Sequence, residues 1–184
     1  MLNNSTIKQQ IGARLQSLKR GQTGYLVVQD VDSFKKINDT NGHLFGDAVL
    51  CSFADELSNI FPEALKGRIG GDEFVFYVED MDREHLEEKL KQLNRCMSDR
   101  YDDDKTGLHI SCSLGAAVTD GTVTDYNLLF QWADAALYQV KSKGKGAYYL
   151  LDVKEGVALP GKSYLDSEEN KEDEIAHKLS LIHI

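Results

Sequence analysis

Two acidic patches carry residue types that can do chemistry. Asp30-Val31-Asp32 ends an apolar run, and Gly70-Gly71-Asp72-Glu73-Phe74 lies further along the chain. Carboxylates at a strand end and at a hairpin tip can meet at one point, where they repel unless a cation sits between them. A hard divalent cation with oxygen ligands is the natural occupant, and Mg2+ in such a setting usually brings a phosphate-bearing substrate with it. The alternative for Asp72 and Glu73 alone is a solvated acidic turn.

The elements that must position these patches can be read from periodicity. Ile7, Ile11, Leu15 and Leu18 predict a helix over 5–19, which Gly21 and Gly24 break. Tyr25-Leu26-Val27-Val28 reads as a buried strand running into Asp30. A short helix over 33–39 follows, with Ser33 as candidate N-cap. Asn41-Gly42 makes a turn, and Gly46-Asp47 opens a longer helix reaching about Ile60. The runs 67–69 and 74–78 flank the second acidic patch as a hairpin, whose glycines are expected at positive-φ turn positions. Further on come an amphipathic helix over 82–97, a strand over 108–119, a helix over 125–141 with Thr124 as its cap, and a last strand over 147–151. Strands alternate with helices, yet one strand pair is a hairpin. The pattern predicts an α/β (α+β) fold: a mixed central sheet of about five strands, with helices on both faces and a β-hairpin bearing the acidic signature.

Composition narrows the class. The chain has 184 residues, fitting one domain with room for a tail, and a net charge of -9. That balance argues against a nonspecific nucleic-acid binder, which would show a basic face. It leaves a nucleotide ligand open, because a bound metal inverts the local sign. No apolar stretch approaches the roughly 18 residues of a membrane span, and no signal peptide is visible at the start, so neither membrane insertion nor export is expected. Cys51, Cys96 and Cys112 have neither metal nor disulfide spacing, which suits thiols in a reducing cytoplasm. Trp132 falls in an apolar helical pattern and reads as core. From residue 152 onward, eight acidic and four basic residues form a polar tail or linker, with the apolar stretch 179–184 at its end.

The run Asp30-Val31-Asp32-Ser33-Phe34-Lys35-Lys36-Ile37-Asn38-Asp39, then Gly42-His43 and Gly46-Asp47, resembles the opening block of GGDEF domains. Gly70 to Phe74 is similar to that family's signature. Ser113-Leu114-Gly115, the stretch from Ala133 to Tyr138, Lys141 and Gly144 resemble its later blocks. The resemblance covers 3–151 in order and spacing, and it implies a domain over 1–151 with a truncated front edge, folded like nucleotide cyclases and polymerase palms. It further implies a diguanylate cyclase, condensing two GTP into cyclic di-GMP and two pyrophosphates at a Mg2+ (or Mn2+) site shared between two facing copies.

The resemblance also assigns roles. Asp30 and Asp72 are implied as side-chain ligands to the metal, with the Val31 carbonyl, and Glu73 as a second ligand or a proton acceptor. Asp30, Asp72 and Glu73 form the implied catalytic set. Phe34 and Lys35 start the short helix, whose N–H groups suit phosphate oxygens; Phe34 also reads as a core aromatic and Lys35 as an ordinary surface lysine. Asn38 and Asp47 are the implied base readers. One carboxylate can accept from both guanine N1–H and the exocyclic amine, a donor pair that adenine lacks; helix capping is the competing account of Asp47. Lys141 and Lys145 are implied phosphate contacts, although Lys145 stands where the family usually has Arg and loses bidentate geometry. A lysine at a helix C-terminus is the plainer account of Lys145. His43 reads as a turn residue.

Departures from the family pattern matter too. The positions of a frequent product-binding motif are held by Phe61 and Ala64, so feedback inhibition through that site is expected to be absent. Leu2-Asn3-Asn4 resembles the remnant of an opening block, which suggests an excised cytoplasmic domain whose parent carries an upstream sensor or dimerisation module and can itself be membrane-anchored. The competing function is a GGDEF-like module that binds GTP and regulates a neighbouring domain without making product.

Overall fold

The computed structural model describes residues 1–101, 109–157 and 159. The chain runs α1 (Asn4–Ser17), β1 (Gly24–Val31), α2 (Phe34–Asn41), α3 (His43–Ile60), β2 (Leu65–Arg68), β3 (Glu73–Glu79), α4 (Arg83–Tyr101), β4 (Cys112–Thr119), α5 (Tyr126–Ser142) and β5 (Tyr148–Asp152). The strands form one sheet in the order β2-β3-β1-β4-β5. β1 is antiparallel to both β3 and β4, and β2 and β3 form an antiparallel hairpin, whereas β4 and β5 are parallel. The expected mixed sheet is therefore present.

β1 is central and buried at every position, which is why its sequence is a continuous apolar run rather than an alternation. Its side chains still divide by parity. Tyr25, Val27 and Val31 join the core built with α2, α3 and α4, through Ile37, Phe53, Leu57, Leu86 and Leu90. Leu26 and Val28 join the opposite core built with α1 and α5, through Ile7, Ile11, Leu15, Leu129 and Trp132. Helices thus cover both faces, and Trp132 is a core residue, 3% exposed. α5 lies unusually close to β4: a Cβ on Gly115 would stand 2.1 Å from the Ala133 carbonyl oxygen and 2.2 Å from Leu137 N.

Several local expectations need correction. α3 begins at His43, so Asp47 stands inside the helix rather than at its start, and capping does not explain it. Ser33 does not cap α2 with its side chain; its backbone is left-handed (φ 58°), which turns the hydroxyl away from that task. Asp125, not Thr124, caps α5, its carboxylate accepting from Leu128 N at 2.8 Å. β4 begins at Cys112, and Leu108 lies outside the described residues. β5 runs through Asp152, and the buried Val153 donates its N–H to the Val118 carbonyl. Most of the acidic segment, with the apolar stretch 179–184, lies outside the described residues. Among the described residues no helix is long and apolar enough to cross a membrane.

Candidate functional site

The strand directions gather the chemistry at one end of the sheet. The C-terminal end of β1 meets the N-terminal ends of β3 and β4, so Asp30 pairs in register with Glu73 on one side and Ser113 on the other. Val31 N donates to the Asp72 carbonyl at 3.3 Å. Asp30, Val31, Asp72 and Glu73, separate in sequence, are thereby brought together.

Asp30 is 7% exposed. The last turn of α5 places Lys141 Nζ 2.8 Å from Asp30 Oδ2. Burial nonetheless pushes the Asp30 carboxyl up to about 6, outweighing the pull of Lys141, and the charges of Asp72 and Glu73 push in the same direction as burial. Burial is thus the main force against the ionised form, and contact with one ammonium does not offset it. Among the described residues no three His, Cys, Asp or Glu side chains already stand as a metal-binding group. The oxygens that converge here, from three carboxylates and a backbone carbonyl, are of the hard kind that suits Mg2+, so their chemistry fits such an ion.

The signature turn works differently from the expectation. Neither Gly70 nor Gly71 has a positive φ. Instead, Ile69 N and Gly70 N both donate to the Glu73 carbonyl, and Arg68 Nε donates to the carbonyls of Gly70 and Gly71, holding the tip. A Cβ on Gly70 would stand 2.8 Å from Glu73 Oε2, whereas one on Gly71 would meet nothing within 4 Å. Gly70 makes room for the Glu73 carboxylate rather than for a special backbone turn.

Asp32 is the residue whose part the sequence did not reveal. It is 6% exposed and accepts from Ser111 Oγ (2.6 Å), Ser113 Oγ (2.7 Å) and Gly146 N (3.0 Å). Its oxygens are occupied by the protein, so it ties β1, β4 and the loop after α5 together and is not a ligand in waiting. The available signal was the spacing of Ser111 and Ser113, two apart and hence on one side of a strand. The loop that Asp32 holds is left-handed at Lys145 (φ 67°) and Gly146 (φ 62°). Lys145 Nζ donates to Ser33 Oγ at 3.0 Å, bringing that lysine to the start of α2. The first turn of α2 takes no hydrogen bond from a capping side chain. Phe34 packs partly buried against the core, whereas Lys35 is exposed.

The implied base readers sit on neighbouring helices. Asn38 projects from α2 against Gly46 of α3, its Oδ1 buried and without a hydrogen bond. Asp47, the next residue along α3, is exposed. Phe61 and Ala64 are buried, and Phe61 packs on Phe76 with ring centroids 4.9 Å apart. Neither residue offers a polar surface group.

Comparison with known proteins agrees with this geometry. The sequence profile described as "Diguanylate cyclase, GGDEF domain" matches residues 1–147. The chain is 32% identical over 144 residues to the probable diguanylate cyclase DgcT of Escherichia coli (strain K12), covering 76% of this chain and 32% of that protein. It is 37% identical over 133 residues to the diguanylate cyclase DgcS of Shewanella oneidensis, covering 68% of this chain and 41% of that protein. The chain thus spans well under half the length of these relatives. Among solved structures, the active GGEEF domain of a diguanylate cyclase from Vibrio cholerae superposes with a TM-score of 0.72 at 25% identity, covering 83% of this chain and 98% of that one.

Proposed function

Because the chain belongs to the GGDEF domain family, we propose that it is the catalytic domain of a diguanylate cyclase. In this reading it binds one GTP and faces a second copy of itself. The 3′-hydroxyl oxygen of one GTP attacks the α-phosphorus of the other. A new P–O bond forms as the bond to the bridging oxygen breaks and pyrophosphate leaves; a second such attack closes the ring. The observation that carries the reading is the convergence of Asp30, Asp72 and Glu73 at one sheet end, with Lys141 of α5 2.8 Å from the Asp30 carboxylate.

Asp30, Val31, Asp72 and Glu73 would hold Mg2+ (or Mn2+), which supplies polarisation of the α-phosphate and neutralisation of the leaving pyrophosphate. The chain's own residues do the rest. The uncapped first turn of α2, at Phe34 and Lys35, offers N–H groups to phosphate oxygens. Lys141 and Lys145 flank the same region and add positive charge. Asn38 and Asp47 read the guanine edge. Glu73, for whose carboxylate Gly70 leaves room, would take the hydroxyl proton or ligate the ion. Facing two loaded domains correctly supplies on the order of 7–11 kcal/mol, so a dimerising partner segment is part of the proposal.

The test is chromatographic product analysis after incubating the domain, fused to a dimerising coiled coil, with GTP and Mg2+. Cyclic di-GMP that disappears with Asp72→Ala, in a variant that still folds, supports the cyclase. GTP binding without product supports the second reading, a GTP-binding regulatory domain. That reading is favoured by Lys145, a single-point charge already engaged by Ser33. No GTP binding at all removes both.

A further inference from the structure

Gly46 lies in the first turn of α3, buried, at a position where alanine is the better helix former. Its φ is not positive, so no backbone conformation requires glycine. What fills the space of the missing side chain is Asn38: a Cβ built on Gly46 would stand 1.9 Å from Asn38 Oδ1, 3.0 Å from Asn38 Cγ and 3.1 Å from Phe34 Cζ. The closest conflict by far is with the movable tip of one side chain, and the three nearest atoms include no backbone. Asn38 Oδ1 is itself buried without a hydrogen bond, an arrangement that costs stability. Two adjoining positions thus each weaken the fold, and they do so to hold one amide in one place.

We infer that Gly46 is a specificity-determining residue for the nucleotide base, acting through Asn38. The inference rests on the proposed reading of Asn38 and Asp47 as the groups facing guanine. Gly46 touches no substrate. Its lack of a side chain seats the Asn38 amide against α3, one residue before Asp47, and any side chain at 46 drives Asn38 into another rotamer. The Phe34 ring needs to yield only a few tenths of an ångström. A glycine retained for helix packing would behave differently, because a methyl group there would then force α2 from α3 and lower stability.

The test is a double-mutant cycle. The full chain, Gly46→Ala, Asn38→Ala and the double variant are titrated calorimetrically with GTP, ITP and ATP in Mg2+, and each is thermally unfolded without nucleotide. ITP lacks only the exocyclic amine of guanine. Gly46→Ala is expected to melt no lower than the parent, to bind GTP about tenfold more weakly, and, because the Asn38 carbonyl oxygen is an acceptor alongside the Asp47 carboxylate, to lose part of the preference for GTP over ITP. In the Asn38→Ala background the same substitution is expected to change GTP affinity by less than about twofold. Three results overturn the inference while leaving the proposed function standing: unchanged affinity and preference in Gly46→Ala, a clear loss of thermal stability or folding in that variant, or a further large loss of affinity in the double variant. Failure of the parent chain to bind GTP removes the proposed function and this inference together.

Discussion

Gly115→Ala should damage the fold and the site together, and its size can be worked from the packing of α5 on β4. The added methyl would stand 2.1 Å from the Ala133 carbonyl oxygen, 2.2 Å from Leu137 N and 2.7 Å from Leu137 Cα. All three are backbone atoms of one helix, so no rotamer change relieves the clash. α5 would have to retreat by about 1 Å, in an interior packed like an organic crystal. Overpacking of this kind costs about 1–3 kcal/mol, and the upper end applies where only backbone can give way. In a chain of this size that corresponds to a fall in Tm of roughly 6–12 °C. α5 also carries Lys141, 2.8 Å from Asp30, so under the proposed function the retreat should weaken GTP binding as well. Urea denaturation followed by circular dichroism measures the first effect, and calorimetric titration the second. Gly12→Ala is the control: it lies in α1 with nothing within 4 Å of the added carbon, and it should gain about 0.5–1 kcal/mol. A Gly115→Ala variant within 0.5 kcal/mol of the parent would refute the reasoning, since it would show that α5 moves freely over the sheet.

Asp32→Ala removes three hydrogen bonds at once and leaves the Ser111 and Ser113 hydroxyls without their acceptor, while Gly146 N keeps Ser113 Oγ at 3.2 Å, so a loss of about 2–3 kcal/mol is expected in the same denaturation assay. Ser111→Ala should cost less, about 1 kcal/mol, because Asp32 keeps its other two donors. Burial pushes the Tyr126 phenol up to about 12. Below pH 10 it is neutral in both states; above that the unfolded chain ionises first, so stability should fall between pH 10 and 12 by up to about 2–3 kcal/mol from this group. Tyr126→Phe should flatten that part of the profile, and an unchanged slope would dismiss the assignment. Phe61 and Ala64 are buried, so micromolar cyclic di-GMP should not slow turnover through that position. Micromolar binding of it by a variant lacking both the Asp30 and Asp72 carboxylates would show otherwise.

The fold was largely legible because its signals are local and strong. The apolar run of β1 is buried on both faces, and the 3.6-residue pattern of Ile7, Ile11 and Leu15 is matched by full burial of all three. Convergence of Asp30 with Asp72 was legible for the same reason: a strand end and a hairpin tip have few places to go. What sequence could not show were choices settled across elements. Gly70 looked like a turn residue, but its use is set by the Glu73 carboxylate against it. Ser33 looked like a cap, but its hydroxyl receives Lys145 from a loop that Asp32 holds. Asp32 itself looked like a partner of Asp30. The pleat sends consecutive side chains to opposite faces, but 30 and 32 share a parity, so parity alone would have given both the same part. The difference lies in what β4 and the residue just before it offer. Ser111 and Ser113 supply two hydroxyls at Asp32, whereas Asp30 finds one lysine and two further carboxylates. A carboxylate saturated by neutral donors is structural, and one buried beside two others and a single lysine is where the proposed cation would sit. That distinction depends on hydrogen-bond donors from a strand some eighty residues away, and no local pattern around Asp30 or Asp32 contains it.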